Sequence, residues 1–497
     1  MRLNISNLLI FTFVIVLAYQ SYVLLKRETQ IPQNDLIISN VTLLSPEREA
    51  PMENAYVYVQ NGRIAKISDG PFALPAHVRQ IDGRGLFLTP GLMDSHTHVT
   101  FVPGMGFDGT ALAKQYSNLV EVYRQQQPRS WLYFGVTQVV DPSPAPNWQT
   151  FTDEPLHPDL FRCGALPNLD GYPQMSVPEA VRLFPNFIIS NPSNFGLNID
   201  IAQHMPESSV KAIAESGAIC VKIYIENGFG ADASLPIPSD DLIAQIKNAA
   251  DEHGLLLYAH ANAIDMAQIA LRTDVDIFGH GLWNWNWDAN DGPPPVQDVL
   301  NQITAKKVGY IPTFGILEGL QQLMMPDSLD NPLLKNVTPQ VLLEWYKTDE
   351  AQWFKKELLS DFGETATPET TYKTFGYTIN RAQQATAYLG DIGHPLALGS
   401  DFPGSPSYIK QPGLSTYQEI LAMSEAGLSP RIVFEAATLN NAGLFNLEDK
   451  YGSIEVGKIA NLLLLRQNPL NDVTAWDTID TIILHGTAIE RDSLKAQ

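Results

Sequence analysis

The chain reads as an α/β protein: eight βα units closed into a barrel, with a small sheet domain built from both ends. Three observations predict this. The two ends are rich in short β-type runs. The middle alternates apolar strands with amphipathic helical stretches, and polar side chains recur where those strands finish. With 497 residues and 44% hydrophobic content, the chain has enough apolar side chain for two cores.

The N-terminal β-rich region runs from about Leu36 to Leu88, with strands at Leu36-Ile37-Ile38, Ala55 to Val59 and Arg63 to Ile67. Asn61-Gly62 between the last two is a two-residue hairpin signal, because both positions of such a turn need positive φ. The far end repeats the style at Asn461 to Leu465, Thr481 to Leu484 and His485 to Ile489. In the middle, strands are predicted at Gly135 to Val140, Cys220 to Tyr224, Leu255 to Ala259, Val275 to Gly279, Val308 to Pro312 and Pro395 to Gly399. Helices fall between them, as at Asp240 to Ala250 and Ile264 to Arg272. One further strand is expected between Asp141 and Pro206; with the strand that carries His96 it completes eight. The stretch 317–393 is far longer than an ordinary connection and holds helical segments at Val341 to Leu359 and Tyr377 to Leu389. It reads either as decoration packed on the barrel or as a lid over its C-terminal face.

These readings set the boundaries: 1–30 a signal peptide or membrane anchor, 31–90 and 448–497 the two parts of the sheet domain, 91–447 the barrel. Leu8 to Leu25 is an apolar run between Arg2 and Lys26-Arg27, borderline in length for a span of roughly 20 residues. Val16-Leu17-Ala18 offers a small-residue cleavage site, so cleaved signal and retained membrane tether stand side by side; either implies export to the periplasm, the exterior or a membrane surface. A formal net charge of −22 excludes a nucleic-acid partner, which needs a basic footprint, and leaves a small-molecule substrate. Cys163 and Cys220 are the two cysteines, too few for a disulfide framework; Cys220, in the run Ala218 to Val221, reads first as a small buried hydrophobe, with a bridge between the two the second reading.

The candidate site starts from Gly91-Leu92-Met93-Asp94-Ser95-His96-Thr97-His98. Side chains alternate along a strand, so His96 and His98 point the same way and can grip one metal ion with two imidazole nitrogens. Lys222, His260, His280 and Asp401 each fall in or at the end of a later predicted strand. Singly, histidines and lysines of this kind are more often packed or solvated. Jointly they stand where a barrel of βα units gathers its catalytic groups.

The motif Gly91 to His98 resembles the first-strand signature of the metal-dependent amidohydrolase superfamily. The tail Gly427-Leu428-Ser429-Pro430, Ala436 to Ala442 and Gly452 to Lys458 is similar to its C-terminal signature. Asn461 departs from the Asp that the family often carries there, and the region from Pro142 to Pro206 matches poorly. The resemblance implies a (β/α)8 TIM-like barrel with a β-sandwich from the two ends, covering about Leu36 to Glu490. Lys222 in Val221-Lys222-Ile223-Tyr224 is similar to the carboxylated lysine of binuclear members, the prolidase-like branch included. An ammonium there would repel two cations, whereas a buried neutral amine can take up carbon dioxide as an anionic carbamate. The resemblance then implies that His96, His98, Lys222 and Asp401 hold one divalent ion. Lys222, His260 and His280 hold the other, with zinc the expected metal.

Two such ions, about 3.5–4 Å apart, would share a hydroxide that attacks a carbonyl carbon, with Asp401 shuttling the proton to the leaving nitrogen. The expected reaction is hydrolysis of an amide-type C–N bond in a dipeptide, an N-acyl amino acid or a cyclic amide. Tyr224, Trp283 and Trp285, with Trp287 following, could line an aromatic pocket or simply pack a loop. No Arg or further Lys neighbours a predicted ligand in sequence, so no carboxylate-binding group is named. A single-metal deaminase or imidazolone-type ring-opening hydrolase is the enzymatic rival, and a non-catalytic scaffold the other alternative.

Overall fold

The computed structural model describes residues 35–75, 78–107, 109–169, 171–173, 185–189, 200–229, 234–286 and 294–497. The apolar run Leu8 to Leu25 and Trp287 lie outside these residues. Among the described residues, no helix is long and apolar enough to cross a membrane.

The N-terminal strands are β1 (Leu36–Leu43), β2 (Met52–Gln60), β3 (Arg63–Ser68), β4 (Arg79–Asp82) and β5 (Phe87–Pro90). β2 and β3 join through Asn61 and Gly62, both at positive φ, as the hairpin signal requires. After them come β6 (Leu92–Asp94), a small hairpin of β7 (Phe101–Val102) and β8 (Gly106–Phe107), then β9 (Val136–Asp141) and β10 (Asp159–Ala165). β11 (Cys220–Tyr224), β12 (Leu256–His260), β13 (Ile277–Phe278) and β14 (Gly309–Tyr310) follow. The chain closes with β15 (Leu462–Leu465), β16 (Ile479–Leu484) and β17 (Thr487–Glu490).

Both ends of the chain build one sheet, ordered β17-β16-β15-β5-β1-β2-β3, with β4 also on β1. The strands are not divided between two separately bonded sheets. Asn40, at φ 58°, bends β1 so that Leu36 to Ser39 pair with β4 while Thr42 and Leu43 pair with β5. Bends of this kind let one strand serve two faces of a small core. The run Leu462 to Leu465 shows why a strand here is apolar throughout. Leu462 and Leu464 enter the sheet's own core, and Leu463 and Leu465 the core shared with the helices and parallel strands. Burying each such side chain is worth about 1.5–3 kcal/mol. At the far end, His485 and Gly486 are a turn rather than strand, both at positive φ, between β16 and β17.

The middle of the chain forms a seven-stranded parallel sheet, ordered β14-β13-β12-β11-β10-β9-β6, with helices between its strands. β10 is the strand expected between Asp141 and Pro206. Beyond the sheet's edges, Tyr310 bridges Leu396 in parallel and the Ser95 amide donates to Leu398 O at 3.0 Å. The segment around Leu396 thus contacts both ends of the sheet. This mixed α/β arrangement fits a TIM-like barrel plus a β-rich domain. Its inner layer beneath the site contains Met93, Val140, Tyr258 and Ile311, closed off by Phe445, Leu447 and Tyr451.

The same layer corrects the reading of Cys220 as a lone hydrophobe. Parallel register sets Cys163 on β10 directly opposite Cys220 on β11, and the two form a disulfide. Register between strands 57 residues apart is not readable from spacing. The insertion also differs in detail. Val341 to Leu359 is two helices, Gln340–Tyr346 and Trp353–Asp361. The Thr348 hydroxyl donates to Trp345 O and the Gln352 amide to Tyr346 O, ending the first. Tyr377 to Leu389 belongs to a longer helix, Pro368–Asp391, started by a Thr367/Thr370 capping box.

Candidate metal centre

The His96–His98 stretch is held extended from both sides. Thr97 N donates to Val140 O at 2.9 Å, and His98 N to Phe402 O at 2.6 Å. Period-two geometry therefore survives past the end of β6, and both imidazoles reach Asp401. His98 Nε2 lies 3.1 Å and His96 Nε2 3.4 Å from Asp401 Oδ1, and His280 Nδ1 lies 3.7 Å from Oδ2. Ligand atoms of His96, His98 and Asp401 all fall within 4.8 Å of one another. Asp401 holds a left-handed backbone at φ 49°, and Gly404 leaves its carboxylate room: a Cβ there would lie 2.8 Å from Oδ2.

Each histidine has one ring nitrogen within hydrogen-bond distance of a neighbouring polar group. His96 Nδ1–H donates to Gly279 O at 2.8 Å, so Nε2 carries the lone pair on the side of Asp401. His98 Nδ1 lies 3.1 Å from Ser143 Oγ. His260 Nε2–H donates to Glu226 Oε2 at 3.1 Å, and Asn262 Nδ2 donates to the same oxygen at 3.1 Å. His280 Nδ1 lies 3.0 Å from Thr313 Oγ1. The His96 and His280 ring centroids are 4.8 Å apart, and those of His260 and His280 4.4 Å.

Lys222 reaches the same place from β11. It is buried, its Nζ has no hydrogen-bond partner, and it lies 4.3 Å from the Tyr258 ring centroid. Only glycine fits at 279, because a Cβ would come within 2.7 Å of that Nζ. All six predicted residues thus converge at the strand ends. The donor set suits divalent cations: three groups aimed at one point, two further imidazoles, and a buried amine lacking a partner.

Electrostatics follow from burial and crowding. Burial presses the Lys222 pKa down to about 7, against an upward pull from Asp401. Burial and neighbouring positive groups hold His96 and His280 well below the usual histidine value, with Asp401 pulling His96 the other way. For His98 burial also opposes charge, but Asp141 and Asp401 outweigh it and lift its pKa to about 9. Burial alone would raise Asp401; the two histidines and Lys410 instead keep it below the usual carboxylate range.

Sequence reasoning missed the supporting groups. Asp94 accepts from Ser400 N at 2.9 Å, Thr416 Oγ1 at 2.6 Å and His96 N at 3.2 Å, tying two ligand segments together. Lys410 is buried, and its ammonium donates to Ser400 O at 2.6 Å, beside Asp401. Its stem crosses the helix Phe314–Leu323 at Gly315 and Gly319, where added Cβ atoms would touch it at 2.5 and 2.8 Å. Glu419 accepts from Phe314 N at 3.0 Å and Gly315 N at 2.7 Å, closing that helix's N-terminus. The signal was present only as a Gly-x-x-x-Gly spacing with no partner in view.

A cavity of about 600 Å³ opens over these residues. Tyr224 and Trp283 line it; Trp285 does not, its indole N–H donating to Leu282 O at 3.1 Å. Residues of the insertion form much of its wall, among them Leu317, Leu320, Phe354 and Phe375.

Residues 379–489 match the model of the amidohydrolase family. An imidazolonepropionase of Symbiobacterium thermophilum is 33% identical over 111 residues, 22% of this chain and 25% of that protein. A 5-methylthioadenosine/S-adenosylhomocysteine deaminase of Bacillus thuringiensis is 36% identical over 73 residues, 14% of this chain and 17% of that protein. The chain thus spans a quarter or less of these curated relatives. Solved structures align far more widely. A prolidase complexed with n-methylphosphonate-L-proline covers 92% of this chain and 100% of its own, at TM-score 0.65 and 17% identity. Molinate hydrolase covers 93% and 96%, at TM-score 0.65 and 20% identity. At such identities the likeness is one of fold. The family match is thus confined to residues 379–489, and the fold of these amidohydrolase-type structures is shared over nine-tenths of the chain.

Proposed function

We propose that this protein is a metal-dependent hydrolase of an amide-type C–N bond. The observation that carries the reading is the convergence of His96, His98 and Asp401 within 4.8 Å, beside a buried, unpartnered Lys222. We place one divalent ion, zinc by expectation, on His96, His98, Lys222 and Asp401. A second would be held by Lys222, His260 and His280, with Lys222 carboxylated so that it would offer anionic oxygens. Ions so held would supply a water of lowered pKa and polarise the scissile carbonyl. Asp401 takes up the water's proton on its carboxylate and returns it to the leaving nitrogen. The hydrogen bonds that His260 and His96 donate to Glu226 and to Gly279 O fix which imidazole nitrogens face the cavity. Leu396 to Gly399 serves as the eighth strand of a closed barrel. Export is part of the same reading, supported by the apolar run Leu8 to Leu25 and the Cys163–Cys220 disulfide.

The test is metal loading in bicarbonate followed by metal analysis, ¹³C NMR of the lysine carbamate and an amide-hydrolysis screen. Two equivalents, a carbamate resonance and amine release are expected. One equivalent with unmodified Lys222 would favour a mononuclear ring-opening or deaminating enzyme; the two partial relatives are named an imidazolonepropionase and a deaminase. Two metals without hydrolysis of any amide would overturn the proposal.

A further inference from the structure

The cavity's lining differs sharply from floor to mouth. The floor is the polar ligand set. Above it the wall is mainly aromatic and aliphatic: nine of the described lining residues are Phe, Tyr or Trp, Leu317, Leu320 and Leu358 fill between them, and Asp361, Thr378 and Arg381 of the insertion add polar groups. Phe354 and Phe375 come from the two long helices of the insertion, Phe107 from the small β7–β8 hairpin, so three separate elements converge on one apolar wall. Phe229 and Phe362 stand at the mouth, 52% and 40% exposed. Rings left that open in water point to something apolar passing between them.

Charge is as telling. Among the described lining residues the cations are Lys222 on the floor and Arg381, which is exposed and stacked 5.7 Å from the Trp285 ring centroid. With Lys222 assigned to the metal centre and Arg381 exposed and held over Trp285, a free α-carboxylate near the scissile bond has no dedicated cationic partner among these residues. An unpaired charge buried against such a wall is strongly disfavoured.

We propose that the substrate is a neutral amide bearing a bulky aryl or arylalkyl group, which the insertion's helices receive, rather than a small polar dipeptide. This rests on the amide-hydrolase reading for the reaction but not for the recognition. A cavity of about 600 Å³ lies within the range that encloses drug-sized ligands. Each methylene buried there is worth roughly fourfold in affinity. The aromatic wall adds preference for a ring over an alkyl chain of the same size.

The experiment uses acetamide, butanamide and 4-phenylbutanamide as probes on the full chain, with and without metal. Binding is read from tryptophan fluorescence, since Trp283 faces the cavity, and from calorimetry. 4-Phenylbutanamide should bind at least tenfold more tightly than butanamide, with a negative heat-capacity change, in both metal states. Phe354→Ala should weaken it at least fivefold. Phe362→Ser, at an exposed and structurally tolerant position, should weaken it about threefold. Equal affinity for the three amides, or glycylproline turned over with higher kcat/KM than the arylalkyl amide, would overturn the substrate class. Tight, ring-dependent binding with no amide cleaved by the metal-loaded protein would leave the recognition standing and remove the hydrolase reading instead.

Discussion

The two halves of the metal centre are built differently. In the His96–His98–Asp401 half, donor and acceptor atoms face one another at 3.1 and 3.4 Å, and Asp94, Ser400 and Lys410 brace the segments behind. In the Lys222–His260–His280 half the histidines are anchored to Glu226 and Thr313, but the central amine has no hydrogen-bond partner. A buried polar atom without a partner costs about 1–3 kcal/mol. In the first half the polar groups face one another; in the second the central amine is left without a hydrogen bond. Under the proposed function, that contrast separates the part that would organise proton transfer from the part that would take a modification and an ion.

The largest expected effect falls in the first half. Asp401→Asn keeps the side chain's shape and should bind metal nearly normally, yet lower kcat by about a thousandfold, as expected for loss of a positioned proton carrier. Steady-state rates beside metal analysis check this, and near-normal turnover would dissolve the distinction. In the second half, Lys222→Met should behave oppositely in the metal-free protein, where the change is one of stability. The folded-state pKa of Lys222 is depressed to about 7, while the unfolded chain keeps its lysine charged to about 10.5. Between those values the unfolded state binds more protons, so rising pH stabilises the wild type relative to the variant, by up to about 1.4 kcal/mol per pH unit. Urea unfolding of both proteins should show Met ahead near pH 7 and the gap shrinking by about 2–3 kcal/mol at pH 9. A pH-independent difference would mean that Lys222 is not buried as an orphan.

What the sequence made legible follows the same divide. The positions of the candidate ligands were readable because strands in parallel βα units finish at one face, so His260, His280 and Asp401 stand out by following apolar runs. His96 and His98 were readable from the period of two. The supports were not: Glu226 bonds across 34 residues, Thr313 across 33 and Lys410 to a carbonyl that no pattern marks. Hydrophobic periodicity shows that the insertion's helices have an apolar face, but not that this face looks into the cavity rather than onto the barrel. The disulfide required strand register, and Trp285 a loop path; neither is encoded in local spacing.

Glu226→Gln tests whether the second half is held as firmly as it is drawn. The carboxylate accepts from both His260 and Asn262, fixing the ring and raising its basicity as a ligand. The amide retains an oxygen but loses the charge. Metal affinity should fall about 10- to 100-fold, with one ion lost first in competition against a chelator. Simultaneous, equal loss of both ions would show that the two halves act as one.

The smallest effect is expected behind the first half, at Lys410. Its stem lies against Gly315 and Gly319, and its ammonium holds the carbonyl that precedes Asp401. Lys410→Met preserves most of the stem's volume but removes one partner of a buried charge cluster with Asp401 and Glu419, so a loss of stability accompanies it and activity is read on the folded fraction. The carbonyl of Ser400 would lose its donor, and Asp401, already in a left-handed backbone, would lose one of the bonds that fix it there. kcat should therefore fall by about five- to tenfold while KM and metal content stay near wild type, since a small misplacement of a catalytic group acts on the transition state and not on binding. Gly315→Ala should produce a similar split by pushing against the same ammonium, because its Cβ would come within 2.5 Å of Nζ. If both variants instead raise KM or shed metal, Lys410 supports the cavity wall through the helix Phe314–Leu323 and not the proton carrier.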